Sequence, residues 1–158
     1  MAKQYWLMKS EEDVYSIEDL EREGTTCWEG VRNYEARNHM RDRMKVGDEV
    51  LFYHSNARPT GVAGIARVVR EGYPDHFAFD EENPYHDPKS DPDDPRWFMV
   101  DVEFVEAFPE VVGLAEVKER EELSEMVLVN RPRLSVQPVT RREFETIRKM
   151  GRSRHVEP

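Results

Sequence analysis

The sequence predicts an α+β domain in which a small mixed β-barrel is flanked by helices. Three observations carry that expectation. Five or six short apolar segments have strand character, helical segments are interspersed among them, and no regular strand–helix–strand rhythm points to a doubly wound parallel sheet. The chain of 158 residues, 38% hydrophobic and 35% charged, suits one domain with a real core, expected over residues 1–150.

The elements follow in order. Gln4-Tyr5-Trp6-Leu7-Met8 is short, aromatic-rich and free of breakers, which predicts a buried strand. Ser16 is placed to cap a helix with Asp19 as an imperfect capping-box partner, and Gly24 stops it. Between Arg32 and Met44, Ala36, Met40 and Met44 recur at helical spacing and face the core, with Asn33, Arg37 and Arg41 as a strip beside them. Lys45–Asp48 is a turn, Glu49–Ser55 a strand, and Gly61–Val69 another strand whose two glycines imply a bulge or a close backbone approach. Gly72–Arg96, with five prolines, is the one long irregular stretch. Trp97–Phe104 alternates, with Phe98, Val100, Val102 and Phe104 on one face and Met99, Asp101 and Glu103 on the other. Gly113–Met126 predicts one or two short helices, and Met126–Val129 and Leu134–Val139 two closing strands. Thr140 and Glu143 form a capping box ahead of a last helix with Phe144 and Ile147 inward, and residues 151–158 are expected to fray.

Charge narrows the function classes. The formal net charge of −10 disfavours non-specific attraction to phosphates. It is unevenly spread: Glu71–Arg96 holds nine acids against two bases, whereas Arg131–Arg154 holds eight bases against two acids and Arg32–Lys45 five against two. A local positive site survives if the two basic segments share a face. Cys27 is the one cysteine, so no internal disulfide framework exists and a reducing compartment is expected. The first residues lack the apolar stretch of a signal peptide, and no apolar run approaches the roughly 20 residues of a membrane span. The expected location is the cytosol, or the nucleus in a eukaryote.

Catalytic chemistry is sparse. There is no Walker loop, nucleophile elbow or zincin helix, and the five histidines have no metal-ligand spacing. The aspartate-rich loop lacks the glycine and terminal glutamate of a calcium-binding EF-hand. Cys27 with His54 or His39 as base would make a nucleophile, but a lone cysteine is more often a small core residue. A binding module is therefore expected, with no catalytic residue, metal or cofactor.

The most suggestive stretch is Cys27-Trp28-Glu29-Gly30-Val31-Arg32-Asn33-Tyr34-Glu35-Ala36-Arg37-Asn38. A planar aromatic beside directional hydrogen-bonding groups suits a nucleobase, and cations a few residues on suit its phosphates. Taken alone, the same stretch equally describes a buried tryptophan before an amphipathic helix with a solvated arginine rim.

A wider pattern bears on this choice. Tyr5-Trp6-Leu7-Met8-Lys9-Ser10-Glu11, Trp28-Glu29-Gly30-Val31-Arg32-Asn33-Tyr34, Val50-Leu51-Phe52-Tyr53-His54-Ser55-Asn56, Asp87-Pro88-Lys89-Ser90, Pro95-Arg96-Trp97-Phe98 and Arg133-Leu134-Ser135-Val136-Gln137-Pro138-Val139 jointly resemble the EVE domain family, nearly end to end and in the family's order. The resemblance implies a PUA-like fold, akin to YTH and ASCH domains, and a pocket for a modified nucleobase, either a modified cytosine in DNA or a modified base in RNA. Lys9-Ser10 and Trp28 fall where YTH domains have a Lys-Ser pair and a cage tryptophan, and Gly64-Ile65-Ala66-Arg67 resembles their Gly-Phe-Ala-Arg strand. Departures are Glu12 for a proline, Glu35 for a glutamine, His86 for a tyrosine, and Asn130 with Pro132 in a usually basic turn.

The resemblance implies a base pocket of Lys9, Ser10, Trp28, Gly30, Val31, Asn33, Tyr34, Tyr53, His54 and Ser55. Phosphate contacts are expected from Lys9, Arg32, Arg37, Asn38 and Lys89. The expected partner is DNA or RNA carrying a modified base, bound by a monomer without membrane or metal. Two other classes stay open: a hydrolase of modified nucleosides using Lys9, Glu11 or Glu29, and a protein adaptor using Asp87–Asp94.

Overall fold

In β1 (Tyr5–Glu11), Trp6, Leu7 and Met8 are all buried, which an alternating strand achieves only when both faces of its sheet are covered. The same holds for β3 (Glu49–Ser55), where Val50, Leu51, Phe52, Tyr53 and His54 are buried in succession. In the computed structural model, which describes residues 3–28, 31–55, 57, 60–89, 91–93, 95–131 and 133–153, these two strands run parallel at the centre of one sheet. The others are β2 (Thr25–Cys27), β4 (Gly61–Pro74), β5 (Phe98–Gly113) and β6 (Val136–Val139), in the order β2-β5-β4-β3-β1-β6. All pairings other than β1–β3 are antiparallel.

Each sheet face carries its own core. Trp6, Met8, Val50 and Phe52 point to one face, where they meet Ile17 and Leu20 of α1 (Ile17–Glu23) and Ala36 of α2 (Tyr34–Asn38). Leu7, Leu51 and Tyr53 point to the other. There they meet Val117 of α3 (Leu114–Glu119), Leu128 of α4 (Val127–Asn130), and Phe144 and Ile147 of α5 (Arg141–Ser153).

The local signals account for much of this. Ser16 accepts from the Asp19 N–H at 3.1 Å and the Asp19 carboxylate accepts from the Ser16 N–H at 2.9 Å, so the box is complete. Gly24 ends α1 at φ 84°. Thr140 and Glu143 exchange the same pair of bonds ahead of α5, at 2.9 and 3.1 Å. The Arg32–Met44 run is helical only from Tyr34. After Asn38 it widens into a π-turn, His39–Arg43, which still leaves Ala36, Met40 and Met44 fully inside.

Several expectations need correction. The sheet is not closed: β2 and β6 are its edges, so the mixed pairing is present without a sealed barrel. Met126–Val129 is not a strand; Val127–Asn130 forms one helical turn, with Arg131 N–H bonding Val127 O at 2.6 Å. Only Val136–Val139 of the second closing segment pairs. The strand beginning at Phe98 continues to Gly113, and Met99, assigned to its polar face, is fully buried. Four register shifts against β4 rotate its faces along the way, which breaks a simple alternation. α5 runs on through Gly151–Ser153, where Gly151 is packed against the Phe108 ring, and residues 154–158 of the expected tail lie outside the described residues. No helix among the described residues is long and apolar enough to cross a membrane.

Candidate functional site

The parallel register of β1 and β3 sets Lys9 beside Tyr53, Ser10 beside His54 and Glu11 beside Ser55. On the other side of β1 the chain entering β6 is held by Lys9 N–H bonding Ser135 O at 2.9 Å. Where these strands end, a cleft of about 590 Å³ opens, a size that suits a small organic ligand. Lys9, Ser10, Glu11 and Ser55 form one wall, Val14 and Tyr15 of the turn before α1 a second, and Arg133 and Ser135 a third. Thr26, Cys27, Trp28, Val31 and Arg32 close it, with Tyr85 of the long loop at the mouth.

Trp28 is pinned. Its backbone N–H donates to Val100 O at 2.8 Å, and its ring meets Phe52 edge-on with centroids 5.3 Å apart. At 8% exposure it offers a ligand a small part of its surface, as a floor rather than a flap. Ser10 Oγ donates to Tyr15 O at 2.6 Å and fixes the turn that carries Val14. Tyr15 in turn donates its hydroxyl to Glu23 Oε1 at 2.9 Å, and burial pushes that hydroxyl's pKa up to about 12. Lys9 Nζ sits 5.4 Å from the Tyr53 ring centroid, and burial lowers the pKa of its ammonium.

Arg32 is engaged on all sides. Its guanidinium donates to Asp75 Oδ2 at 3.0 Å, to Tyr85 O at 2.5 and 3.2 Å, and to Val31 O at 3.1 Å. It thereby ties the long loop to the cleft wall. Arg37 donates to Arg96 O at 2.9 Å and to Asn38 Oδ1 at 2.9 and 3.1 Å.

Of the expected base-pocket residues, Lys9, Ser10, Trp28, Val31 and Ser55 line the cleft together. Gly30 lies outside the described residues, as does Glu29. Asn33 caps α2, accepting from the Ala36 N–H at 3.0 Å. Tyr34 projects outward, 52% exposed and stacked on Trp97. Tyr53 and His54 are buried behind the wall, where His54 Nε2 accepts from the Ile17 N–H at 3.1 Å. Of the expected phosphate contacts, Lys9 and Arg32 line the cleft, whereas Arg37 and Asn38 bond each other away from it. Lys89 is exposed on the long loop, its N–H held by Asp87 Oδ1 at 3.0 Å. Among the described residues no group of three or more His, Cys, Asp or Glu side chains is placed to hold a metal ion.

Sequence reasoning passed over Tyr15, Thr26, Tyr85, Arg133 and Ser135 as site residues. Arg133 and Ser135 had a signal, since they lie in a basic segment and in a motif that resembles the family's; the pairing of β1 with β6 brings them in. Tyr15 and Thr26 had none.

Comparison with known proteins places the chain. The EVE domain model matches residues 4–150. Human thymocyte nuclear protein 1 is 46% identical over 162 residues, covering 90% of this chain and 72% of that protein. A hypothetical protein from Leishmania major superposes with a TM-score of 0.94 at 49% identity, covering 98% of each chain. The human THYN1 protein, solved in complex with 5-methylcytosine-containing DNA, superposes with a TM-score of 0.88 at 44% identity, covering 99% of this chain and 100% of that one. Matched over nearly its whole described length in sequence and in structure, the chain belongs to the EVE domain family.

Proposed function

We propose that this protein binds DNA carrying a modified cytosine, 5-methylcytosine first among the candidates, with the modified base turned out of its stack into the cleft. The observation that carries this reading is the cleft itself. In a chain of net charge −10, a recess of about 590 Å³ is floored by Trp28 and bordered by Lys9, Arg32 and Arg133. A base needs an aromatic surface and directional polar groups, and its phosphate needs cations; both requirements meet here. The human relative's complex with 5-methylcytosine DNA supports the choice of ligand.

Ser10 and Ser55 supply polar groups for the base edge, Val31 an apolar contact, and Lys9 and Arg133 the cations nearest the phosphate. Arg32 acts by holding Tyr85 at the mouth, four hydrogen bonds being already made by its guanidinium.

The test is fluorescence anisotropy at fixed salt with short labelled DNA and RNA, single- and double-stranded. Each carries cytosine, methylcytosine, hydroxymethylcytosine or methyladenine at one position. Tightest binding to methylcytosine DNA is expected. Weak binding, equal for every base and abolished by salt, would mean phosphate attraction alone and overturn the reading. Trp28→Ala should weaken binding roughly 5- to 150-fold from lost stacking. Because Trp28 also fills the core, Lys9→Gln serves as a second variant that leaves the core intact, and it should weaken binding without shifting thermal unfolding.

A further inference from the structure

From the cleft outward, rings and guanidiniums stack in one continuous ladder. Tyr85, at the mouth, lies 5.9 Å from the Arg32 guanidinium, which lies 5.4 Å from the Trp97 ring. Trp97 stacks on Tyr34 with centroids 4.9 Å apart and planes inclined at 24°, and Arg37 lies 4.8 Å from the Tyr34 ring. The inner rungs are fixed: Trp97 is 6% exposed and donates Nε1–H to Asp87 Oδ2 at 2.6 Å. The outer rung reaches the surface. Tyr34 is 52% exposed, one of the few large apolar side chains at the surface, and an exposed aromatic beside a cation is the combination that unstacked bases settle on.

From this ladder we infer that Tyr34, with Arg37 beside it, forms a second subsite that receives the base neighbouring the one held in the cleft. The inference rests on the proposed base cleft. Arg32 lines the cleft and lies against Trp97, the ring on which Tyr34 stacks, so the two subsites are linked through Arg32 and Trp97. Turning a base into the cleft leaves its neighbour without a stacking partner on one side, and the Tyr34–Arg37 step supplies a substitute surface. The bonds of Arg37 to Arg96 O and Asn38 Oδ1 hold its guanidinium in place, so the step exists before the ligand arrives. The ligand class is therefore a strand of at least two nucleotides rather than a free nucleoside.

The experiment is a two-by-two comparison by fluorescence anisotropy. Wild type and Tyr34→Ala are each titrated with a single-stranded nonamer carrying central 5-methylcytosine, and with the same nonamer whose two nearest neighbours are abasic. Tyr34→Ala is expected to weaken binding to the intact nonamer roughly 5- to 150-fold and to have little effect on the abasic one; Tyr34→Phe should restore wild-type affinity. Equal loss on both nonamers would place Tyr34 in the cleft itself and overturn the inference, as would no loss on either. If wild type fails to prefer methylcytosine while Tyr34→Ala still shows the neighbour-dependent loss, the base-reading proposal fails and the subsite stands. Tyr34 is at the surface, so unchanged thermal unfolding of the variant is the accompanying control.

Discussion

Arg32 shows how a residue can border a ligand cleft and yet be spent on architecture. Its carboxylate partner, Asp75, is fully buried, and the arginine side chain itself is 24% exposed. Asp75 also accepts from the Phe77 N–H at 3.0 Å, which shapes the short 3₁₀ turn at His76–Phe79. Removing one partner of such a pair leaves a desolvated charge behind. Arg32→Ala should therefore cost about 3 kcal/mol of stability in urea unfolding, and Arg32→Lys should recover little of it, because one ammonium cannot reach Asp75 and the Tyr85 carbonyl as the planar fork does. A stability loss within about 0.5 kcal/mol, the range of an ordinary surface change, would show that the loop is held elsewhere. The two buried histidines make a second prediction at this scale. His54 Nε2 accepts from the Ile17 N–H, and His39 Nδ1 faces the Arg43 guanidinium at 3.1 Å, so each ring is kept neutral with its proton on the other nitrogen. Burial, first of all, lowers both pKa values below the ordinary histidine value, and Glu12 and Glu18 oppose this only weakly at His54. The unfolded chain then binds protons that the native one refuses, so stability is complete above about pH 6.5 and falls as the pH drops below it. Urea midpoints measured from pH 8 to 5 should be flat at first and then decline; constant midpoints through that window would contradict the histidine account.

At the scale of elements, the close crossing of β4 and β5 depends on two missing side chains. A Cβ on Gly64 would overlap the Glu106 carbonyl oxygen and press on Ile17 of α1, and one on Gly61 would overlap the Val112 carbonyl oxygen. Both neighbours are backbone and cannot swing aside, so Gly64→Ala should destabilise by about 1–3 kcal/mol, as overpacking does; thermal unfolding checks this, and an unchanged midpoint would mean that the strands can part. The sequence announced this approach through the two glycines, just as it announced the ends of α1 and the start of α5 through their capping pairs, because these are short-range signals. Val127–Asn130 was illegible for a physical reason: the four apolar residues Met126–Val129 are too few to separate a period of 2 from one of 3.6, and the turn is set by packing of Leu128. The far half of β5 was lost because its register shifts scramble the alternation that identifies a strand. The cleft divides the same way. Lys9-Ser10 and Trp28-Val31-Arg32 could be found as local strings, whereas the arrival of Thr26 and Arg133 depends on pairings between strands far apart in sequence, and that of Tyr15 on a turn fixed by Ser10.

Across the whole molecule, the proposed function depends on a small cationic zone within an acidic chain of net charge −10. The two basic segments do meet, but partly to cancel: Arg131 makes a two-pronged ion pair with Glu35 of α2, at 2.5 and 2.7 Å, and the arginine holds the Glu35 carboxyl below its ordinary pKa. Both side chains are solvent-exposed, so the pair matters little for stability and chiefly removes one cation from those able to meet a phosphate. With Lys9 and Arg133 as the proposed phosphate contacts at the cleft, a shallow salt dependence follows, a slope of log K against log[salt] of about −1.4 for a single strand at about 0.7 per contact. Glu35→Gln releases Arg131 and removes a negative charge from α2. The variant should bind methylcytosine DNA more tightly at low salt, with the slope steepened by about 0.7–0.9, and the advantage should vanish as salt rises. Anisotropy titrations at several salt concentrations, run side by side on wild type and Glu35→Gln, measure both quantities. Equal slopes for the two proteins would mean that Arg131 stays away from the bound strand, and that the acidic surface limits binding through its overall charge rather than through this one pair.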